Sequence, residues 1–256
     1  MHPGSLLLLA AAFYFLFAAP LLAEDDASHG TAIATIRTPE QIVVASDSRE
    51  VGASGAAHDD TVCKIRTLGS AFVAVHGLNR DKKTGLNVFD AIGQASAVAG
   101  SIKDRAAWLE SRLREPLTRA LQRIRDKDAA EFRAMLSQTD PLGIIIFGFE
   151  NSIAVMSYRR FVVRNPGNSQ VVLDVERTDC PGPQCPNDRA VDIFVGIGAD
   201  AFKRSRPGYL KMDLADVARD YVQSCIDSNR IDFGPPINVL KVSRYGVEWI
   251  NRTGCQ

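Results

Sequence analysis

The extended runs in the second half of this chain are apolar at successive positions rather than alternate ones. Residues 143–149 read GIIIFGF, and 152–158, 161–164, 171–175 and 191–195 are built in the same way. A strand that is apolar on both faces needs a covering layer on each side. Earlier strands come as hairpins: 32–37 (AIATIR) and 41–46 (QIVVAS) flank the turn Thr38-Pro39-Glu40, and 62–68 and 71–76 flank Gly69-Ser70. Helices lie between. Leu86, Phe89, Ile92 and Ala95 share one face, and Trp108, Leu109, Leu113, Leu117, Leu121 and Ile124 continue a period of about 3.6, with Pro116 expected to kink that stretch or to start a new helix. A helix over 213–229, with Leu214, Val217, Ala218, Tyr221, Val222 and Cys225 on its inner side, leads to a closing hairpin of 237–242 and 247–250. This order predicts an α+β protein with one domain over 31–256, a four-layer αββα sandwich of two stacked antiparallel sheets.

Composition limits the partners. With 30 Lys+Arg against 30 Asp+Glu the net charge is zero, so no field selects nucleic acid, and 46% hydrophobic residues exclude a disordered chain. Residues 1–23 carry no Asp, Glu, Lys or Arg, and the unbroken apolar run 6–17 ends in Ala18 and Ala19. This reads as a secretory signal peptide cleaved after Ala23, although the stretch approaches the length of a short membrane anchor. The expected location is secreted or periplasmic, with no stable membrane insertion after cleavage.

Cysteine usage agrees with an oxidising compartment. Cys180 and Cys185 flank a Pro/Gly-rich loop and form a candidate local disulfide, the alternative being two unbonded loop thiols. Cys63 and Cys225 read as small buried hydrophobes, and Cys255 carries no assignment. No second CxxC or HxxxH pair stands at ligand spacing, and His29, His58 and His76 fit neither a metal set nor a Ser/His/Asp arrangement, so no metal and no cofactor are expected.

The most specific stretches are HGTAIATIRTPEQIVVASDSR, residues 29–49, and CKIRTLGSAFVAVHGL, residues 63–78. They resemble the proteasome β-subunit family and its bacterial ATP-dependent relative, which are N-terminal-nucleophile hydrolases. The resemblance implies that fold, a self-cut at Gly30-Thr31, and a catalytic set of Thr31, Asp47 and Lys64, with backbone N–H groups near Gly77 forming the oxyanion site. Asp47 follows Thr31 at the family spacing, and Lys64 lies one residue later than is commonest. Two places depart from the pattern: Ile197 stands where a serine is usual between Gly196 and Gly198, and the stretch Asn229-Arg230-Ile231-Asp232-Phe233-Gly234-Pro235 lacks the usual aspartate and serine before a glycine pair.

The spacing also makes chemical sense. A nucleophile opening one strand of a hairpin and an acid following the other lie at the same end of it, and the next strand can deliver Lys64 there. A threonine hydroxyl needs a base near neutral pH, and a chain-terminal amine of pKa about 7.7 to 8.0 suits that role. A cationic Lys64 beside Asp47 would favour loss of the hydroxyl proton. Each residue also has a structural explanation: Thr31 as a strand former, Asp47 as a turn residue, Lys64 as a snorkelling surface side chain. The expectation is a threonine-type amide-bond hydrolase acting on peptides or small amides, preceded by a propeptide over 24–30 and open to homo-oligomer formation. The alternative is a catalytically silent proteasome-like subunit that binds or assembles.

Overall fold

The computed structural model describes residues 27–29, 31–52, 57–138, 140–228 and 230–255, with backbone alone for 27–29, 57, 58, 131, 134 and 138. The signal-peptide reading, the first part of the propeptide, Gly30 and Asn229 therefore lie outside the described residues. The chain begins with β1 (Ala27–His29), β2 (Ile33–Arg37), β3 (Gln41–Ser46), β4 (Glu50–Gly52), β5 (Ala57–Asp59), β6 (Ile65–Leu68), β7 (Ala71–Gly77), β8 (Arg80–Asp81) and β9 (Leu86–Asn87). Helices α1 (Val88–Ala95), α2 (Ile102–Lys127) and α3 (Ala129–Gln138) follow. Then come β10 (Leu142–Glu150), β11 (Ile153–Arg164), β12 (Val172–Cys180), β13 (Val191–Val195), α4 (Ala199–Ser205), α5 (Leu214–Ile226), β14 (Asn238–Ser243) and β15 (Gly246–Asn251).

Two antiparallel sheets, ordered β12-β11-β10-β7-β6 and β13-β2-β3-β14-β15, stack face to face. Ile33, Ile42, Val44 and Leu240 from one meet Ile65, Phe72, Ile145, Phe147 and Met156 from the other. The outer face of the first sheet is covered by α1, α2 and Phe132 of α3. The outer face of the second packs on α5 and on Phe202 of α4. Successive apolar positions thus fill different cores: Ala34 and Ile36 face α5, whereas Ile33 faces the opposite sheet. The protein is accordingly α+β with stacked antiparallel sheets and helices outside them.

Three details differ from expectation. Pro116 starts no new helix but lies inside α2, where the capping box at Ser101 and Asp104 and the buried row Leu109, Leu113, Leu117 and Leu121 hold both halves to the sheet. The runs 152–158 and 161–164 form the single strand β11, since Arg159 and Arg160, which read as a break, find acids: Arg159 reaches Asp179 at 2.8 Å, and Arg160 reaches Asp140 at 2.7 Å and Glu176 at 2.9 Å. A third, small sheet ordered β5-β4-β1-β8-β9 was not expected, its strands being too short to show a period. Among the described residues no helix is long and apolar enough to cross a membrane.

Candidate active site

The end of the β2–β3 hairpin nearest β6 gathers the predicted residues. Ala32 faces α5 and Ile33 faces the inter-sheet core, and extending this alternation by one residue puts Thr31 on the inter-sheet side. Thr31 is buried in the intact chain. Asp47, which follows β3, is fully buried and is held by four donors. Its Oδ1 accepts the Ala32 N–H at 2.8 Å and the Lys64 ammonium at 2.9 Å. Its Oδ2 accepts the Gly234 N–H at 3.2 Å and the Arg49 N–H at 3.3 Å. Ala32 N and Lys64 Nζ thus share one carboxylate oxygen, which brings the ammonium up to the peptide unit that joins Thr31 to Ala32.

Lys64 sits at the entrance to β6, fixed at its backbone by the Val75 N–H donating to its carbonyl at 3.2 Å. Its ammonium also donates to the Arg49 carbonyl. The side chain is 1% exposed, so the snorkelling explanation does not apply. Burial pushes its pKa below the ordinary lysine value, with the Asp47 carboxylate pulling the other way. A dry ammonium beside a buried carboxylate, with burial still lowering its pKa, is a group whose proton is loosened, a frequent mark of chemistry rather than of packing.

Gly77 lies two residues beyond Val75, at the same end of the sheet as Lys64. Its φ is +89°, and a Cβ there would stand 2.5 Å from the Pro141 carbonyl oxygen, so only glycine fits. The Leu78 N–H is committed to that carbonyl at 2.7 Å and cannot serve an oxyanion. His76 is fully buried between the sheets with Nε2 3.0 Å from the Tyr158 hydroxyl, and burial lowers its pKa to about 4, which keeps it neutral near pH 7.

The departures from the family pattern have physical outcomes here. Ile197 packs into the cluster around α5, where its carbonyl accepts from the thiol of Cys225, which is buried and unbridged. Asp232 is held by Arg230 at 2.7 Å. That stretch reaches the site through backbone instead, by Gly234 N–H to Asp47 and by the Ser48 N–H donating to the Gly234 carbonyl at 3.2 Å.

Sequence reasoning missed three neighbours. Ser48 is fully buried and accepts the Asn238 side-chain N–H at 2.8 Å. Asn238, at the start of β14, gave no signal beyond strand placement. The third is a disulfide: Cys180 and Cys185 are bonded as proposed, but Cys63 is no plain hydrophobe, being joined to Cys255 across 192 residues. Nothing local in a sequence announces a bond of that reach. Among the described residues no cluster of His, Cys, Asp and Glu could hold a metal. No family model and no curated protein sequence matches the chain.

Proposed function

We propose that the chain is a threonine-type amide-bond hydrolase of the N-terminal-nucleophile kind, secreted or periplasmic, which frees Thr31 by cutting the Gly30-Thr31 bond. The observation that carries this reading is the buried Asp47–Lys64 pair, one carboxylate oxygen of which also binds the N–H of the residue after Thr31. In turnover the Thr31 hydroxyl oxygen attacks the substrate carbonyl carbon and its proton passes to the freed α-amine. Backbone N–H near Gly77 holds the developing oxyanion. The amine, now ammonium, returns the proton to the leaving nitrogen as the C–N bond breaks. Water then attacks the resulting ester, giving up a proton to the same amine, and the acid leaves as Thr31 regains its hydroxyl hydrogen.

The first cut needs a different base, because the future amine is still the nitrogen of the Gly30-Thr31 amide. Lys64, whose proton burial loosens, is suited to that step. The segment before Thr31 supports a peptide as substrate. Residues 27–29 run as an extended strand paired antiparallel with β4 on one side and β8 on the other, which is how an extended backbone would be held with its carboxyl end at Thr31.

The same observation favours the second reading, a silent subunit. A strand bonded on both edges is well placed to stay, and while it stays Thr31 is covered. The two readings separate on hydrolysis of a fluorogenic peptide amide. The hydrolase turns it over, retains activity as Thr31→Ser and loses it as Thr31→Ala; equal background rates for all three proteins mean the silent form.

A further inference from the structure

We infer that the C-terminal tail, residues 252–255, is a covalently latched brace that positions Lys64 and Asp47–Ser48. This rests on the hydrolase reading for its purpose. Two routes connect tail to site. The first runs through segment 60–64. Cys255 is bonded to Cys63, the residue before Lys64. Gly254 adopts φ +73° and lies so flat on the Thr61 backbone that an added Cβ would stand 2.5 Å from the Thr61 carbonyl oxygen. The Arg252 guanidinium turns back onto the Cys255 carbonyl at 2.6 Å and closes the tail on itself.

The second route runs through Asn238. Its side-chain oxygen accepts the Thr253 N–H at 2.6 Å, while its amide nitrogen donates to the Ser48 hydroxyl at 2.8 Å. One amide therefore ties the tail to the residue after Asp47. The two segments that the tail grips also hold each other, by Val62 N–H to the Ser48 carbonyl at 3.1 Å, by Lys64 to Asp47 and the Arg49 carbonyl, and by Arg49 to Asp60.

Lys64 is displaced from its short sequence neighbourhood only if segment 60–64 moves. Beyond its bonds to segment 47–49 and to the Val75 N–H, that segment is restrained by the tail, through the Cys63–Cys255 bond and the close approach of Gly254 to Thr61. Position matters at this level because a shift of about 1 Å in a catalytic group can lower a rate about a hundredfold. The latch is also chemically reversible. A dithiol reductant attacks the Cys63–Cys255 bond, leaving two thiols and an oxidised, cyclised reductant. The tail is then held by non-covalent contacts alone.

The experiment uses the full mature protein and follows the Lys64 ε-methylene titration by NMR, in the parent, in Cys63→Ser/Cys255→Ser, in Gly254→Ala and in the control Cys180→Ser/Cys185→Ser. Asp47, Glu50, Arg49 and Asp60 are charged groups that face Lys64, and the titratable His76, neutral near pH 7, lies within its field. Opening the brace admits water, so its midpoint should rise by about 1 unit toward the ordinary lysine value in the first two variants, and stay put in the control. Where hydrolysis is measurable, kcat should fall about tenfold or more with KM within about twofold. Gly254→Ala keeps the disulfide and decides the matter if the double variant does not fold. The proposal is overturned if Lys64 titrates alike in the parent and in the folded variants, or if the control shifts equally. The titration needs no turnover, so an inactive protein refutes the hydrolase reading while leaving the brace to be decided by the shift.

Discussion

Two clusters of charge lie next to the two disulfides and are built differently. Lys64 follows Cys63, and its pair with Asp47 is dry, the side chains being 1% and 0% exposed. Asp179 precedes Cys180, and with Glu110, Arg159 and Arg177 it forms a graded network that docks α2 on β11 and β12. Within it, exposure rises from 3% at Arg159 to 53% at Arg177. Glu110 and Asp179 each have more than one cation, and water shares the rest. In the first cluster one oxygen serves both the ammonium and a backbone N–H, and both side chains are shut off from water. A network with several partners and access to water is an attachment. A dry ion pair is expensive as attachment, which favours a functional role for Asp47 and Lys64.

The disulfides sharpen the contrast. In the chain-entropy limit, a bond closing a loop of 192 residues stabilises by about 5 kcal/mol, and one closing 5 residues by about 2 kcal/mol. Cys63→Ser/Cys255→Ser should therefore lose more than twice the urea-unfolding free energy that Cys180→Ser/Cys185→Ser loses. Equal losses would mean that the tail is not a long-range restraint. Next in size, Lys64→Ala should destabilise by about 3–5 kcal/mol, because it leaves Asp47 buried and ionised without its cation.

The pH dependence should divide by cluster. Burial raises the pKa values of Glu110 and Asp179, but bonds from Arg177 to the first and from Ser157 and Arg159 to the second outweigh it, so both stand below the ordinary carboxylate range. Their ionised forms favour the folded state. That contribution is complete above the ordinary pKa of about 4 and is lost as pH falls through the depressed folded values. Lys64 works in reverse: its charged form disfavours folding below its lowered pKa, and the penalty is relieved as pH rises toward the ordinary lysine value. Urea midpoints measured against pH should show a shallower acid limb for Glu110→Gln and a shallower alkaline rise for Lys64→Met. The smallest effect belongs to Arg177→Ala. Its side chain is half exposed, and its loss should cost about 1 kcal/mol or less.

How much of this was legible in the sequence follows the range of the interaction. Strands with several consecutive apolar or β-branched residues, such as 41–46 and 191–195, have the bounds that the sequence predicts; in 41–46 burial on both faces writes itself into successive positions, whereas 191–195 is only half-buried. Strands of two or three residues left no pattern, and β1, β4 and β8 exist only because each finds a neighbour. Arg159 and Arg160 separate two apolar runs in the sequence yet lie inside one strand, since the acids that accept them lie on β12, on α2 and before β10. Asp47 and Lys64 were legible by spacing and resemblance. Ser48, Asn238 and the Cys63–Cys255 bond join segments up to 192 residues apart, and no local property of either partner encodes the meeting.

The central claim is that Thr31 becomes a free chain terminus by the chain's own chemistry. Intact-mass measurement of the purified protein and of Thr31→Ala tests it most directly. The account predicts a parent chain that starts at Thr31 and a variant that retains residues ahead of position 31. A parent that keeps those residues, or a variant trimmed to the same point, contradicts it.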